Sequence, residues 1–580
     1  MSGGPGVSGG VGAGDGGRTG AGGSAGNRSV VFDPSGYDLP VEQKRVLRWT
    51  LYIGYFALGA GVAHGLAQSL SYAGIDILRF FPALRSYYQG LTGHGVANAL
   101  FFTFSFANAF LPLLTARALS RPLNQRLNHA ALWTLVAANI LVIYAVTTNQ
   151  ASVLYTAYPP LQGHWTFYLG LVLLVVSTYL ASANMFLTLR AWRKEHPDER
   201  IPLLAFISVV SYAMWDLASL GVAVSFIGFL LPWSVGLLER VDALFHRTLF
   251  WFTGHAIVYA WLLPAYVSWY ALVPKQAGGK LVSDSLTRTV FILFLLLSIP
   301  TGFHHQYTDP GISEGMKAFH AVLTFGVFYP SLATAFSVVA ALEIAGRARG
   351  GKGLLGWIKK LPWDDPSLVA QMLAMITFVF GGITGLINAS YAVNQVVHNT
   401  AWIPGHFHMT VGSAVALTLM GIAYWLIPYL TDRKLWGRKL ALAQAWIYTI
   451  GVLVFARGMI SGGLQGMPRR TFLAEAPYMD PEWELAGILT GVGGSLMTVG
   501  AVLFFVIVVA TIVIGRKGEA PQDIPFSETV SGPAKEGWEL RLDRIGFWVG
   551  AAILLILIAY GPFLVGYIPI NAVSPGYGFF

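Results

Sequence analysis

The sequence predicts an all-α, polytopic membrane protein, a bundle of about thirteen transmembrane helices. Three observations predict it. Of the 580 residues, 55% are hydrophobic and only 11% are charged, whereas soluble domains carry about 25% charged residues. The apolar residues gather into runs of the ~20 residues that cross a bilayer as a helix. The basic residues gather between alternate runs, the pattern that orients membrane spans.

In chain order the runs lie near 46–72, 91–116, 129–149, 163–190, 201–232, 242–273, 286–305, 315–345, 367–394, 400–429, 438–463, 483–515 and 543–570. The first follows Lys44, Arg45 and Arg48. Arg117, Arg121 and Arg126 separate the second from the third, and Arg190, Arg193, Lys194 and Arg200 the fourth from the fifth. Lys275 and Lys280 lie between the sixth and seventh. Arg347, Arg349, Lys352, Lys359 and Lys360 lie between the eighth and ninth, and Arg433, Lys434, Arg438 and Lys439 between the tenth and eleventh. Arg516 and Lys517 follow the twelfth. Of the loops between these, 149–163 has no charge and 309–314 is acidic. The positive-inside rule then places the N-terminus in the cytoplasm and, with an odd number of spans, the C-terminus outside. Arg469 and Arg470 break the pattern, a basic pair in an outer loop that calls for an anion.

The net charge of +9 is spread over these short loops and points to membrane topology and lipid, with no nucleic-acid partner. Residues 1–30 are Gly/Ser-rich and too polar for a cleavable signal peptide. They are expected to form a disordered cytoplasmic tail, with 31–580 as the membrane domain. Cysteine is absent, which excludes disulfides, iron–sulfur clusters and thiolate copper sites on this chain.

The histidines share a depth. His94 opens the second run from outside, His304 and His305 close the seventh there, and His406 and His408 open the tenth from the same side. His255 lies about half-way into the sixth. Histidine inside a span is costly and marks function. His406 and His408 leave a helix about 200° apart, so one helix can hold a different metal on each side. A low-spin haem needs two axial ligands, which His94 and one of His406 and His408 can supply. A high-spin haem needs one and an open face. A neighbouring copper takes three imidazoles, leaving His255, His304 and His305, although imidazole suits iron equally well.

Four stretches carry a resemblance: GHAIVYAWLLPAY (254–266), GFHHQYTDPG (302–311), YPPLQGHWTFYLG (158–170) and VVHNTAWIPGHFHM (396–409). They resemble subunit I of the B-family haem–copper oxidases, terminal oxidases that accept electrons from cytochrome c, and the likeness runs from about residue 46 to the end. It implies His94 and His408 on a low-spin haem, taken as b-type. It also implies His406 on a high-spin haem, taken as a-type, and His255, His304 and His305 on one copper ion. Beside the metals it implies a catalytic pair of His255 and Tyr259, covalently linked in the family, with the phenol supplying an electron and a proton to cleave the O–O bond. Helical geometry agrees, since i and i+4 share a face. The implied setting is the plasma membrane of a prokaryote.

Tyr266 and Tyr270 fall within about 20° of the face that carries Tyr259. With Ser283, Thr334 and Ser337 they offer hydroxyls able to relay protons from the cytoplasm, and in the resembling family the matching positions form the single uptake path. Arg469 and Arg470 can pair with haem propionates, and His398 and Asn399 look like further propionate-side residues. Three positions depart from the family pattern. Ala256 stands where proline commonly follows the first copper histidine. Asn394 stands where an aspartate near the propionates is expected. Asp216 lies inside an apolar span, where an internal hydrogen bond is the preferred expectation.

The expected activity is reduction of dioxygen to water, coupled to proton pumping. Nitric oxide reductase on the same bundle is the first alternative, and would set carboxylates beside iron. A proton-coupled transporter is the second, and would show Gly/Pro-broken helices in related halves. Electron entry through a dinuclear copper site needs thiolates, so a partner subunit II is expected to carry it, the alternative being a quinol that binds directly. A small single-helix subunit can accompany it, with cytochrome c or a similar donor.

Overall fold

The computed structural model describes residues 37–80, 84–518, 529–531 and 537–567, together with the backbone of 574, 575, 577 and 578. The Gly/Ser-rich segment 1–30 lies outside the described residues. Among them, twelve helices are long and apolar enough to cross a membrane. These are α1 (Val41–Tyr72), α2 (Tyr87–Ala118), α3 (Gln125–Thr147), α4 (Trp165–Glu195), α5 (Leu203–Ser234) and α6 (Ala243–Ala277). The thirteenth expected span is the short α7 (Asp284–Leu297). Then follow α8 (Glu314–Ala348), α9 (Pro366–Ala389), α10 (Trp402–Thr431), α11 (Arg438–Leu464), α12 (Pro481–Ile514) and α13 (Ile545–Tyr567).

The helices begin where a side chain can cap them. Ser86, Asn124, Asp242, Ser283, Ser313 and Asp365 each accept a hydrogen bond from a backbone N–H of the first turn they precede. Such caps satisfy donors that a membrane edge would otherwise leave bare. Close backbone approach between α11 and α12 depends on glycine. A Cβ on Gly493 would lie 2.2 Å from the Phe455 nitrogen, and one on Gly458 2.6 Å from the Ala486 carbonyl. Small residues at helix contacts are how lipid-embedded helices pack tightly.

The seventh run is helical for only part of its expected length. α7 has 14 residues, about 21 Å of rise against a hydrocarbon core of ~30 Å. Beyond Leu297 the chain unwinds and forms a 3₁₀ turn, Gly302–Gln306, that carries His304 and His305. His304 and His305 are thus both carried on non-α-helical backbone. The ninth run also divides: α9 ends at Ala389, and a separate short helix, Tyr391–Val397, follows Ser390.

Two helices contain π-helical stretches where their histidines sit. Val96–Phe102 follows His94 within α2, and Thr410–Val415 follows His408 within α10. Such insertions concentrate at functional positions because they re-aim side chains without ending the helix. The helices α2, α6 and α10 are the most enclosed of the bundle, and they carry His94, His255, His406 and His408. Beyond α13, Ser574–Pro575 pairs with Arg240–Val241, and Tyr577–Gly578 pairs with Leu161–Gln162. The chain after α13 therefore lies on the face where α4 and α6 begin.

Candidate metal centre

One cavity of about 670 Å³ runs through the bundle, and all six histidines line it: His94, His255, His304, His305, His406 and His408. Among the described residues no Asp or Glu lines it. On one side the rings of His94 and His408 face each other with centroids 6.2 Å apart and planes 19° apart. Two imidazoles bound to one metal through bonds of about 2 Å have centroids about 6 Å apart, so the pair fits a shared iron. The Nδ1–H of His94 donates to the Gly61 carbonyl at 2.8 Å, and that of His408 to the Pro404 carbonyl at 2.7 Å. Both bonds leave Nε2 as the free lone pair, the arrangement that orients a metal-binding imidazole. A Cβ on Gly65 would come within 2.7 Å of the His94 ring, so the ring's seat on α1 requires glycine.

His406 leaves the opposite face of α10. Its Nδ1–H donates to the Gly381 carbonyl at 3.0 Å, with the Thr384 hydroxyl 3.1 Å away. Its Nε2 is also left as the open ligand.

The third group is His255, His304 and His305, whose ligand atoms all lie within 4.8 Å of one another. The group contains three imidazoles and no carboxylate. His304 Nδ1 lies 2.8 Å from the Thr324 hydroxyl, which gives its one proton to the His320 carbonyl at 2.7 Å. The hydroxyl must therefore accept from His304, and His304 Nε2 is the free ligand. Trp251 stacks flat on His305, with centroids 3.8 Å apart and planes 5° apart. His255 turns Nδ1 toward His305 Nε2 at 3.2 Å and Nε2 toward the Tyr259 hydroxyl at 3.3 Å. One nitrogen of His255 thus faces the histidine group and the other faces the tyrosine.

Comparisons with known proteins agree with this geometry. Residues 45–496 match the family described as Cytochrome C and Quinol oxidase polypeptide I. The chain is 46% identical over 534 residues to cytochrome c oxidase subunit 1 of Thermus thermophilus, covering 90% of this chain and 94% of that one. It is 27% identical over 505 residues to cytochrome c oxidase polypeptide 1 of Halobacterium salinarum, covering 81% and 80% of the two chains. A chain of a haem–copper terminal oxidase dimer solved by cryo-electron microscopy superposes with a TM-score of 0.88 at 36% identity, over 93% of this chain and 95% of that one.

The chain belongs to the cytochrome c and quinol oxidase polypeptide I family.

Membership makes it a haem–copper oxidase subunit of the membrane, and the family's reaction is dioxygen reduction coupled to proton pumping. The transporter alternative is thereby removed. For a member of this family the arginine pair has a clear setting. Arg469 and Arg470 line the cavity. Arg469 Nη2 donates to Asn399 Oδ1 at 2.8 Å and its backbone N–H to the Asn399 carbonyl at 3.1 Å. Its buried Nε has no partner. Burial and the neighbouring Arg470 charge push the guanidinium down to about 9. A haem propionate fits that donor. Asn399 and Arg470 both take left-handed backbone, each with φ of 60°.

His398 also lines the cavity and lies 3.0 Å through Nδ1 from Asn394 Oδ1, while the Asn394 amide donates to the Asn388 carbonyl at 2.7 Å. Burial and the Arg469 charge hold His398 down at about 4, neutral at pH 7. Sequence inspection missed the ion pair nearby: Arg247 holds Asp309 through two bonds of 2.8 Å, and Gln306 donates to the same carboxylate at 3.1 Å.

Of the five hydroxyls expected to relay protons, the structure joins two directly. Tyr270 donates to Thr334 at 3.0 Å, and Tyr266 donates at 3.1 Å to Ser331, a residue not anticipated. Ser337 lies one turn beyond Thr334 on α8. The Ser283 hydroxyl accepts from the Leu286 N–H at 3.2 Å as the cap of α7. Asp216 accepts from the Ser182 hydroxyl at 2.5 Å, an internal bond between α5 and α4.

Proposed function

We propose that this chain is the catalytic subunit of a B-family, cytochrome c-type terminal oxidase in a prokaryotic plasma membrane. In this assignment His94 and His408 hold a low-spin b-type haem, His406 a high-spin a-type haem, and His255, His304 and His305 one copper ion. The observation that carries it is the all-imidazole group beside Tyr259, sharing one cavity with His406. Three soft-to-borderline nitrogen donors without a carboxylate suit copper, whereas the reductase alternative calls for oxygen donors near a second iron.

When bound, the two haems and copper supply electron transfer and the site at which dioxygen is reduced. The protein supplies orientation, water exclusion and protons. The Tyr259 hydroxyl holds the proton closest to the histidine group, at His255 Nε2. Tyr266, Ser331, Tyr270, Thr334 and Ser337 bring protons toward it from the cytoplasmic side. The guanidinium groups of Arg469 and Arg470 bind propionates, with Asn399 and His398 completing that rim.

Several features support the topology and partners. The loop charges support a cytoplasmic N-terminus, and the pairing of 574–578 with the outer ends of α4 and α6 supports an external C-terminus. The lack of cysteine supports a separate subunit II bearing the dinuclear copper entry site, with a small single-helix subunit beside it. The 46% identity to a cytochrome c oxidase subunit favours cytochrome c as donor.

The test is elemental analysis of the purified subunit for iron and copper per chain. About two irons and one copper are expected. About three irons and no copper would select the reductase reading.

A further inference from the structure

α13 contributes no residue to the metal cavity among the described residues, yet it is tied to α7 at both ends. At its start, Asp543 accepts from Arg288 at 2.9 Å and from the Ile201 N–H at 2.9 Å. Arg288 is 1% exposed and bonds Asp284 at 2.7 Å and the Ile201 carbonyl at 2.7 Å. At the other end of the membrane α13 meets the unwound segment that follows α7. Unwound backbone inside a bilayer must find partners within the protein, and here it finds them on α13 and α8.

The Tyr560 hydroxyl accepts from the Gly302 N–H at 3.2 Å and donates to the Ile299 carbonyl at 3.1 Å. A single hydroxyl thus bridges the break between the end of α7 and the ligand turn. The Phe303 N–H donates to His320 Nδ1 at 3.3 Å, which places the proton on Nε2, and this donates to the Ala559 carbonyl at 3.0 Å. One turn along α8, Thr324 holds His304. Phe303 is enclosed by His320, Tyr560 and Phe563, with ring centroids 4.2, 5.1 and 5.2 Å away. A Cβ on Gly302 would come within 2.3 Å of the Trp251 carbonyl and 2.4 Å of the Tyr560 hydroxyl, so the turn is clamped between α6 and α13.

We propose that α13 is a brace for the copper-ligand turn, and that Tyr560 and His320 are positioning residues that fix the backbone presenting His304 and His305. This rests on the assignment of copper to His255, His304 and His305. Because the brace acts on how firmly the turn holds its ligand geometry, its removal shows first in metal retention. The haem sites, built on α1, α2, α9 and α10, are untouched by it.

The experiment uses the whole purified oxidase complex and follows copper per haem by elemental analysis during timed exposure to a cuprous-ion chelator. Tyr560→Phe deletes the bridging hydroxyl and is expected to lose copper roughly five-fold to thirty-fold faster, the effect of one or two lost hydrogen bonds, with both haem spectra unchanged. Tyr567→Phe, which deletes a hydroxyl bonded to Asp242 from the same helix, is expected to lose it at the unmodified rate. His320→Gln reaches the same turn through a different bond and gives the same comparison should Tyr560→Phe not assemble. Copper loss from Tyr560→Phe at the unmodified rate overturns the brace, and so does equal acceleration in both tyrosine variants, which would mean general loosening of α13. An unmodified complex that never held copper overturns the site assignment itself, and the brace with it.

Discussion

The imidazoles of His94 and His408 face each other across 6.2 Å between centroids, and each is fixed by a backbone carbonyl at Nδ1. Their carriers, α2 and α10, are separate helices that face each other across the cavity. His408→Ala should therefore abolish the low-spin haem signal and leave the high-spin haem on His406, two residues away on the opposite face. Reduced-minus-oxidised spectra check this. Survival of the low-spin signal would remove His408 from the axial pair.

Tyr259→Phe keeps the ring and removes the hydroxyl that lies 3.3 Å from His255 Nε2. Both haem spectra should persist while oxygen consumption falls by at least ~100-fold, the usual scale for losing a positioned proton donor. Oxygen-electrode assays of the purified variant measure it, and near-normal turnover would refute the role given to this hydroxyl.

The bundle was legible because a run of ~20 apolar residues has few solutions other than a membrane helix. Convergence of the six histidines was legible through the loop charges, which set the direction of each run and hence each histidine's depth. The end of α7 was hidden, because Leu295, Leu296, Leu297 and Ile299 remain apolar through the unwinding and hydropathy does not register backbone geometry. The π-helical stretches after His94 and His408 were hidden as well, since they keep the apolar character of the runs that contain them and hydropathy does not register the π geometry. Ser331 escaped notice because it faces Tyr266 from another helix. Arg247 and Asp309 are 62 residues apart, a separation with no local signal. Ser283 did carry a readable clue: a serine directly before Asp284 and the apolar run of α7 is a helix-cap pattern.

Arg469 carries the charge that the cavity rim leaves unanswered, with one buried nitrogen lacking a partner. Arg469→Met removes a cation beside the propionates, which favours the more positive ferric iron and so lowers the midpoint potential. A charge-assisted hydrogen bond contributes about 1.5–3 kcal/mol, and 1.4 kcal/mol corresponds to about 60 mV for one electron. A drop of roughly 60–130 mV in at least one haem is expected by spectroelectrochemical titration. Unchanged potentials for both haems would place the propionates elsewhere.

Ser283 and Thr334 are both expected to relay protons, and the structure gives their hydroxyls different bonds. Thr334 takes the hydrogen bond of Tyr270 at 3.0 Å, whereas Ser283 spends its hydroxyl oxygen on the Leu286 N–H. Their alanine variants should therefore fail in different ways. Thr334→Ala interrupts a chain of hydroxyls, so turnover should slow markedly, with the deficit confined to steps that take up protons and the unfolding temperature nearly unchanged. Ser283→Ala removes a helix cap worth about 0.5–2 kcal/mol, so the protein should unfold at lower temperature while its turnover below that temperature stays near normal. Flow-flash kinetics with a pH dye reads the first effect, and thermal unfolding of the detergent-solubilised enzyme reads the second. If Ser283→Ala instead slowed proton uptake without loss of stability, the path would have to enter by the start of α7, and the cap would be only part of what that hydroxyl does.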